Sequence, residues 1–247
     1  MLLFYIRHGD PIYNPDSLTP LGHRQAESVA KRLALFGIDE IYSSTSTRAM
    51  QTAQPTCEYL GKELKTLDWM HETYAHREMA IPVNEKTKTW CWAHPKYSKI
   101  LASRQVRDMG DRWHEHPELA EFKLGDTCNR VGTELDKWLA GLGLEHDREL
   151  GLYKVTADVK QKRIALFAHE GVGKVFMSEL LDIPFPYYAA HFDMKHTGMT
   201  VISFDEGQRY DFGGYARARV LTVSNDSHLY RDGIPTNHAS TFIREKY

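Results

Sequence analysis

Leu2-Leu3-Phe4-Tyr5-Ile6-Arg7-His8-Gly9 is the stretch that decides the fold. Five apolar residues in succession, with no polar alternation, suit a buried strand of a sheet covered on both faces. Gly9, Asp10 and Pro11 break the run, which puts Arg7 and His8 at the strand's carboxyl end. In open α/β sheets that end is where ligands bind.

The pattern continues outward from this strand. Thr19-Pro20 reads as an N-cap followed by proline at the first helical position. Ala26, Val29, Ala30, Leu33 and Ala34 then recur at helical spacing, and Gly37 closes the helix. Asp39 to Ser43 reads as a second strand. The hydroxyl-rich turn Ser43-Ser44-Thr45-Ser46-Thr47 leads into a helix carrying Arg48, Met50 and Ala53, in which Pro55 marks a kink or a restart. Further along, Arg163 to Ala168 is another apolar strand, ending at His169-Glu170-Gly171 and followed by a helix through Val175, Phe176 and Leu180. Met199 to Phe204 and Arg219 to Val223 read as further strands, and the tail from Asn225 is polar. Strands alternating with helices predict an α/β protein: three layers, with a mostly parallel central sheet and helices on both faces.

Between Thr73 and Gly125 the alternation fades. This stretch holds Trp90, Trp92, Tyr97 and Trp113 among many charges, and it reads as an inserted cap lying over the sheet edge. With no repeat, low-complexity tract or linker, residues 1–247 read as one domain with a cap insertion at about 73–125.

Composition narrows the function classes. The 247 residues are 42% hydrophobic and 26% charged, and 31 basic residues against 33 acidic ones leave a net charge of -2. That near-balance gives no whole-molecule attraction to nucleic acid or an anionic membrane. Cys57, Cys91 and Cys128 are scattered and odd in number, a pattern of reduced thiols and not of a disulfide framework or zinc cluster. The apolar start is too short for a signal-peptide core or a membrane span. The expectation is a cytoplasmic protein with no nucleic-acid or membrane partner; its oligomeric state is not readable.

Two histidines, His8 and His169, end two apolar strands. Arg7 adjoins the first, and Arg48 follows another strand. If these strands are neighbours, four cationic or potentially cationic groups converge at one edge, and an anion between them relieves their repulsion. A phosphate monoester is the natural occupant, because arginine forks match phosphoryl oxygens and helix N-termini add N–H donors. Taken singly each residue has a plainer reading: a structural strand-end histidine, or a helix-surface arginine. His169-Glu170-Gly171-Val172-Gly173 lacks the second histidine of HExxH, so no zinc-protease site is indicated.

Four segments in order make the pattern specific: Leu3–Gly9 (LFYIRHG), Leu18–Glu27 (LTPLGHRQAE), Ile41–Ala53 (IYSSTSTRAMQTA) and Ala165–Gly171 (ALFAHEG). Together they resemble the histidine phosphatase superfamily, the phosphoglycerate-mutase-like proteins. Gly125-Asp126-Thr127, before the next helix, is similar to the family's Gly-Glu-Ser element. The resemblance implies His8 as nucleophile, Arg7 and Arg48 as phosphate-binding arginines, and His169 as the second pocket histidine. It places Glu72 as the acid that protonates the leaving oxygen, although the usual glycine-rich stretch after it is replaced by TYAHREM; Glu78 is the alternative carboxylate. Asn14 matches a phosphate-contacting asparagine, and His196 falls in a region that supports the pocket.

The implied activity is that of a metal-independent phosphatase needing no cofactor, hydrolysing a small phosphate monoester through a phosphohistidine. The alternatives are a phosphoglycerate-type mutase and a phospho-ligand or phosphoprotein binder with little turnover. The Glu-Arg-His-Tyr-Gly stretch of the glycolytic mutases is missing after Glu72, and so are the phytase signatures. Trp90 and Trp92, with Tyr97, Lys96 and Arg104, are candidates for gripping the substrate; the tryptophans serve equally well as packing that buries the cap.

Overall fold

The run from Leu2 to Arg7 is a strand, β1, and its residues divide by parity. Leu3 and Tyr5 enter one hydrophobic cluster and Phe4 and Ile6 the other, all fully buried. A strand packed on both faces has no polar face to present, so the apolar run needs no alternation. The computed structural model describes residues 1–205 and 213–236.

After β1 come a short hairpin, β2 (Pro11–Tyr13) and β3 (Asp16–Leu18), then helix α1 (Pro20–Phe36), capped by the Thr19 side chain. Next are β4 (Glu40–Ser44), α2 (Thr47–Leu60) and β5 (Leu64–Leu67). Pro55 neither ends nor restarts α2, which runs through it. The segment that sequence alone left irregular is built of short pieces: α3 (Glu72–Met79), a hairpin of β6 (Ala80–Pro82) and β7 (Lys88–Trp90), α4 (Tyr97–Leu101) and α5 (Arg104–Asp108). Then follow α6 (Leu124–Leu142), β8 (Leu144–Asp147), β9 (Leu152–Val155), β10 (Arg163–Ala168), α7 (Gly171–Leu181) and α8 (Phe185–His191). Strands β11 (Met199–Asp205) and β12 (Tyr215–Asn225) and helix α9 (Ser227–Arg231) complete the described chain. The polar tail expected from Asn225 is in part this helix, with Leu229 buried; residues 237–247 of that tail lie outside the described residues.

Among the described residues the main sheet has eight strands in the order β5-β4-β10-β1-β11-β12-β9-β8. It is mixed. The half from β5 to β1 is parallel, as the strand-helix alternation predicts. From β1 through β11 and β12 to β9 and β8 the pairing turns antiparallel. β8 and β9, four residues each, are too short to carry a strand signal that sequence reading detects. The hydrophobic cluster around α1 and α2 covers one face, and the cluster around α6, α7 and α8 covers the other.

The segment after Glu72 shares the second of these cores. Ala75, Met79, Cys91, Leu101, Val106 and Trp113 are buried in the same cluster as Tyr5, Leu166 and Phe176. Helix α6 begins at Leu124, so Gly125-Asp126-Thr127 lies in its first turn and not before it. The three cysteines are free and buried. Among the described residues no helix is long and apolar enough to cross a membrane.

Candidate active site

The sheet register brings the sequence motifs together. Arg7 on β1 pairs with Ala168 on β10, and Phe167 on β10 pairs with Ser43 on β4. Three adjacent parallel strands therefore end side by side, delivering Arg7-His8, His169 and the turn before Arg48. The exit of β1 is fixed by close backbone approach: a Cβ on Gly9 would lie 2.6 Å from the Gly22 carbonyl oxygen, and one on Gly22 2.2 Å from that of Asp10. Only glycine at both positions lets the first turn of α1 sit against the loop. Gly9 N–H donates to Thr52 Oγ1 (3.0 Å) and Asp10 N–H to Gln25 Oε1 (2.8 Å), tying the loop to α2 and α1.

His8 is 3% exposed, and burial, followed by the charge of Arg7, holds its ring well below the usual histidine range. The neutral ring carries one proton. Its Nδ1 lies 2.7 Å from the Gly9 carbonyl oxygen, which can only accept. The proton is therefore on Nδ1, and Nε2 keeps its lone pair.

His169 is fully buried; burial, then His8 and Arg48, keeps it neutral as well. Arg48 Nη2–H donates to its Nδ1 (3.0 Å). Its Nε2–H consequently faces Ser44 Oγ (2.9 Å) and Ser46 Oγ (3.2 Å). The hydroxyl-rich turn is visible in the sequence, yet its partner, a histidine more than 120 positions away, is not. Tyr5 Oη–H donates to the His169 carbonyl (2.7 Å), anchoring the backbone that carries the ring. The rings of His8 and His169 are 5.1 Å apart.

Both arginines are engaged by carboxylates that sequence reading missed. Arg7 Nη1 donates to Glu170 Oε2 and to the Met194 carbonyl, each at 2.5 Å. Arg48 Nη1 donates to Asp16 Oδ1 (2.7 Å), whose other oxygen accepts from Thr47 N–H at the start of α2 (2.8 Å). Among the described residues, the buried Nε of each arginine has no hydrogen-bond partner. Buried guanidinium donors without acceptors are a cost that an anion removes.

Glu72 is the first residue of α3, and its carboxylate accepts from the N–H groups of Gly171 (3.0 Å) and Val172 (2.8 Å) at the start of α7. Burial pushes its carboxyl above the usual range, against the pull of those hydrogen bonds. Gly171 is the hinge of this corner: a Cβ there would come within 2.4 Å of the Trp90 ring and 2.8 Å of Glu72 Oε1. The alternative carboxylate, Glu78, is placed elsewhere. Burial raises it, but hydrogen bonds from Arg130 and Thr127 prevail and hold it below the ordinary range.

A cavity of about 560 Å³ is lined by Arg7, His8, Arg48, Glu72 and Glu170. Tyr13, Asp16, His71, Thr73, His76, Trp90, Trp92 and Gly171 line the rest. Trp90 and Trp92 stack on each other at 4.6 Å, with His76 edge-on to Trp90 and Phe185 edge-on to Trp92. His196 stands behind His8, ring centres 5.6 Å apart, with burial first and Arg7 second lowering it to about 4. Asn14 sits at the exposed tip of the β2–β3 hairpin and does not line the cavity. Lys96, pairing with Glu118 (2.8 Å), and Arg104, pairing with Asp108 (3.4 Å), are also off the cavity, as is Tyr97. Among the described residues no group of three or more His, Cys, Asp or Glu side chains is arranged to hold a metal ion.

Residues 3–116, which carry Arg7, His8, Arg48 and Glu72, match the model of the histidine phosphatase superfamily (branch 1). The amino-terminal part of the chain is thus similar to this superfamily. Solved histidine phosphatase structures superpose over nearly the whole chain. Mycobacterial glucosyl-3-phosphoglycerate phosphatase complexed with VO3 is 20% identical, with a TM-score of 0.55 over 90% of this chain and 97% of its own. Phosphoserine phosphatase from Entamoeba histolytica in complex with 3-phosphoglyceric acid is 20% identical, TM-score 0.56, covering 92% and 98%. The alpha-ribazole phosphatase from Shigella flexneri is 17% identical, TM-score 0.54, covering 92% and 97%. At these identities the likeness concerns the fold. No curated protein matches the chain in sequence.

Proposed function

We propose that this chain is a metal-independent phosphatase that hydrolyses a small phosphate monoester through a phosphohistidine on His8. One observation carries the reading: a neutral His8 whose proton is occupied at Nδ1 by the Gly9 carbonyl, lining a cavity with two guanidinium groups. A free imidazole lone pair beside two fixed cations suits attack on phosphorus. The phosphatases named above, similar in fold, support the same class of reaction.

In this reading the Nε2 lone pair of His8 forms the N–P bond in line as the P–O bond breaks. Arg7 and Arg48 balance charge on the equatorial oxygens. His169, accepting from Arg48, keeps that guanidinium aimed at the phosphoryl group. Glu72 gives its proton to the leaving oxygen, and its burial favours the protonated state this requires. It then takes a proton from the water that attacks phosphorus, and the N–P electron pair returns to His8. The two guanidiniums supply the neutralising charge that a metal supplies elsewhere. Residues 73–125 act as a cap whose wall, with Trp90 and Trp92, chooses the alcohol portion.

The test is a trapped intermediate. Brief mixing with labelled substrate in EDTA, followed by an alkaline quench, should leave acid-labile label on the peptide containing Arg7 and His8. Label on Ser43, Ser44 or Ser46, or turnover that stops in EDTA and returns with Mg²⁺ or Zn²⁺, overturns the proposal.

A further inference from the structure

The cavity has an unusual balance of charge for a site that takes an anion. Among the described residues, Arg7 and Arg48 are the only lysines or arginines that line it, whereas Asp16, Glu72 and Glu170 all do. Each arginine already has a carboxylate partner, Glu170 at 2.5 Å and Asp16 at 2.7 Å. The nearby amine of Lys174 is no reserve. It is 1% exposed, bound to the Phe192 carbonyl and to Asp193 Oδ1 (2.8 Å), and lies 3.6 Å from Glu170 Oε1. One phosphoryl group therefore uses the whole cationic capacity of the cavity. Beyond it, the other charged groups on the lining, Asp16, Glu72 and Glu170, are all carboxylic side chains.

From this we infer that the cavity selects phosphate monoesters whose alcohol portion is neutral or carries an amine, and disfavours esters bearing a second anionic group. The inference rests on the phosphatase reading above. A carboxylate or second phosphate would be desolvated against two like charges with no cation to answer it. A hydroxyl or ammonium finds acceptors in the same two carboxylates, and the exposed ring of Tyr13 and the indoles of Trp90 and Trp92 give an ammonium an aromatic wall. His71, Thr73 and His76 are the other polar groups on that wall.

Matched esters test this directly. Glycerol 3-phosphate and 3-phosphoglycerate differ by a hydroxymethyl group against a carboxylate; phosphoethanolamine and phosphoserine differ by a carboxylate alone. At pH 8 the carboxylate-free member of each pair should have the higher kcat/KM by about tenfold or more. Glu170→Gln and Asp16→Asn should each shrink the ratio to about threefold or less, and because a ratio is read, a uniform loss of activity cancels. Equal or better turnover of 3-phosphoglycerate by the unaltered protein overturns the inference, as does a ratio unmoved in both variants. Failure to release phosphate from any ester, p-nitrophenyl phosphate included, removes the phosphatase reading and this one with it. Activity with the ranking reversed removes this inference alone.

Discussion

The edge of the sheet that holds Arg7, His8, Arg48 and His169 and the wall that faces it, built from residues 72–92, are made in opposite ways. At the sheet edge the main chain does the positioning. His8 N–H donates to the Ala168 carbonyl (2.9 Å), Thr197 N–H donates to the Arg7 carbonyl (3.0 Å), and each functional residue is within a few positions of a strand end or helix start. On the opposite wall side chains do it: Trp90 on Trp92, Trp92 on Phe185, and Trp113 on Phe185 at 5.4 Å. Backbone hydrogen bonds hold through most side-chain changes, whereas an aromatic stack lasts only as long as its rings. The first construction suits chemistry that must stay constant, and the second suits a surface that selects.

The most severe way to strain this contrast is His8→Ala. It leaves the β1 backbone in place and should lower phosphate release by about 10⁴-fold or more with a melting temperature close to that of the unaltered protein. Retained turnover would show that the sheet edge is a binding platform and not the reacting centre. Next in size is Glu72→Gln, on the boundary between the two regions. It should cost about 10²-fold on an alkyl phosphate and about tenfold or less on p-nitrophenyl phosphate, whose leaving oxygen needs little help from an acid. Equal losses on both would move the acid elsewhere.

On the aromatic wall the effect should change in kind. Trp92→Ala should lower stability by about 2–4 kcal/mol through the lost stack and reorder the preferred esters, while p-nitrophenyl phosphate turnover changes by less than about threefold. Lost stability with an unchanged ranking would make the tryptophan packing alone.

The smallest effect probes the support behind β1. His228 Nε2 lies 3.1 Å from Thr197 Oγ1, and burial first, then Arg32, lowers its ring to about 4. Its folded-state pKa is below its unfolded one, so the unfolded chain takes up the proton first. The contribution to stability is complete above about pH 6.5 and is lost as pH falls toward about 4, by about 1.4 kcal/mol per pH unit at most. Glu72 and Glu170, which desolvation raises, act with the opposite sign. Comparing the unaltered protein with His228→Gln cancels them, and the variant should show the shallower loss of stability between pH 6.5 and 5 in denaturant titrations. Parallel curves would mean that His228 takes up its proton in the fold as it does in the unfolded chain.

The same contrast explains what is legible in the sequence. β1, β4 and β10 announce themselves because a strand buried on both faces is apolar throughout, and Arg7, His8, Arg48 and His169 follow as the residues that end or succeed those runs. Asp16 and Glu170 were not legible as partners of the arginines. Nothing local marks a carboxylate that meets its cation 32 or 163 positions away. Asn14 was assigned by motif position, and the hairpin turns it outward to solvent. The antiparallel half of the sheet escaped notice where its strands are short, and the mosaic from α3 to α5 escaped because its pieces span only three to eight residues. Helices that brief carry too few turns for a 3.6-residue period to emerge.

Glu72 gives the molecule a seam. It opens α3, yet its two oxygens are fastened to the first turn of α7, so it travels in sequence with the wall and in space with the sheet edge. Grafting another relative's wall onto this protein is therefore best done with a splice after Met79, leaving α3 native. A splice before Glu72 imports a foreign acid into a corner shaped around Gly171, where the transplanted chain has to arrive with matching backbone to within a fraction of an ångström.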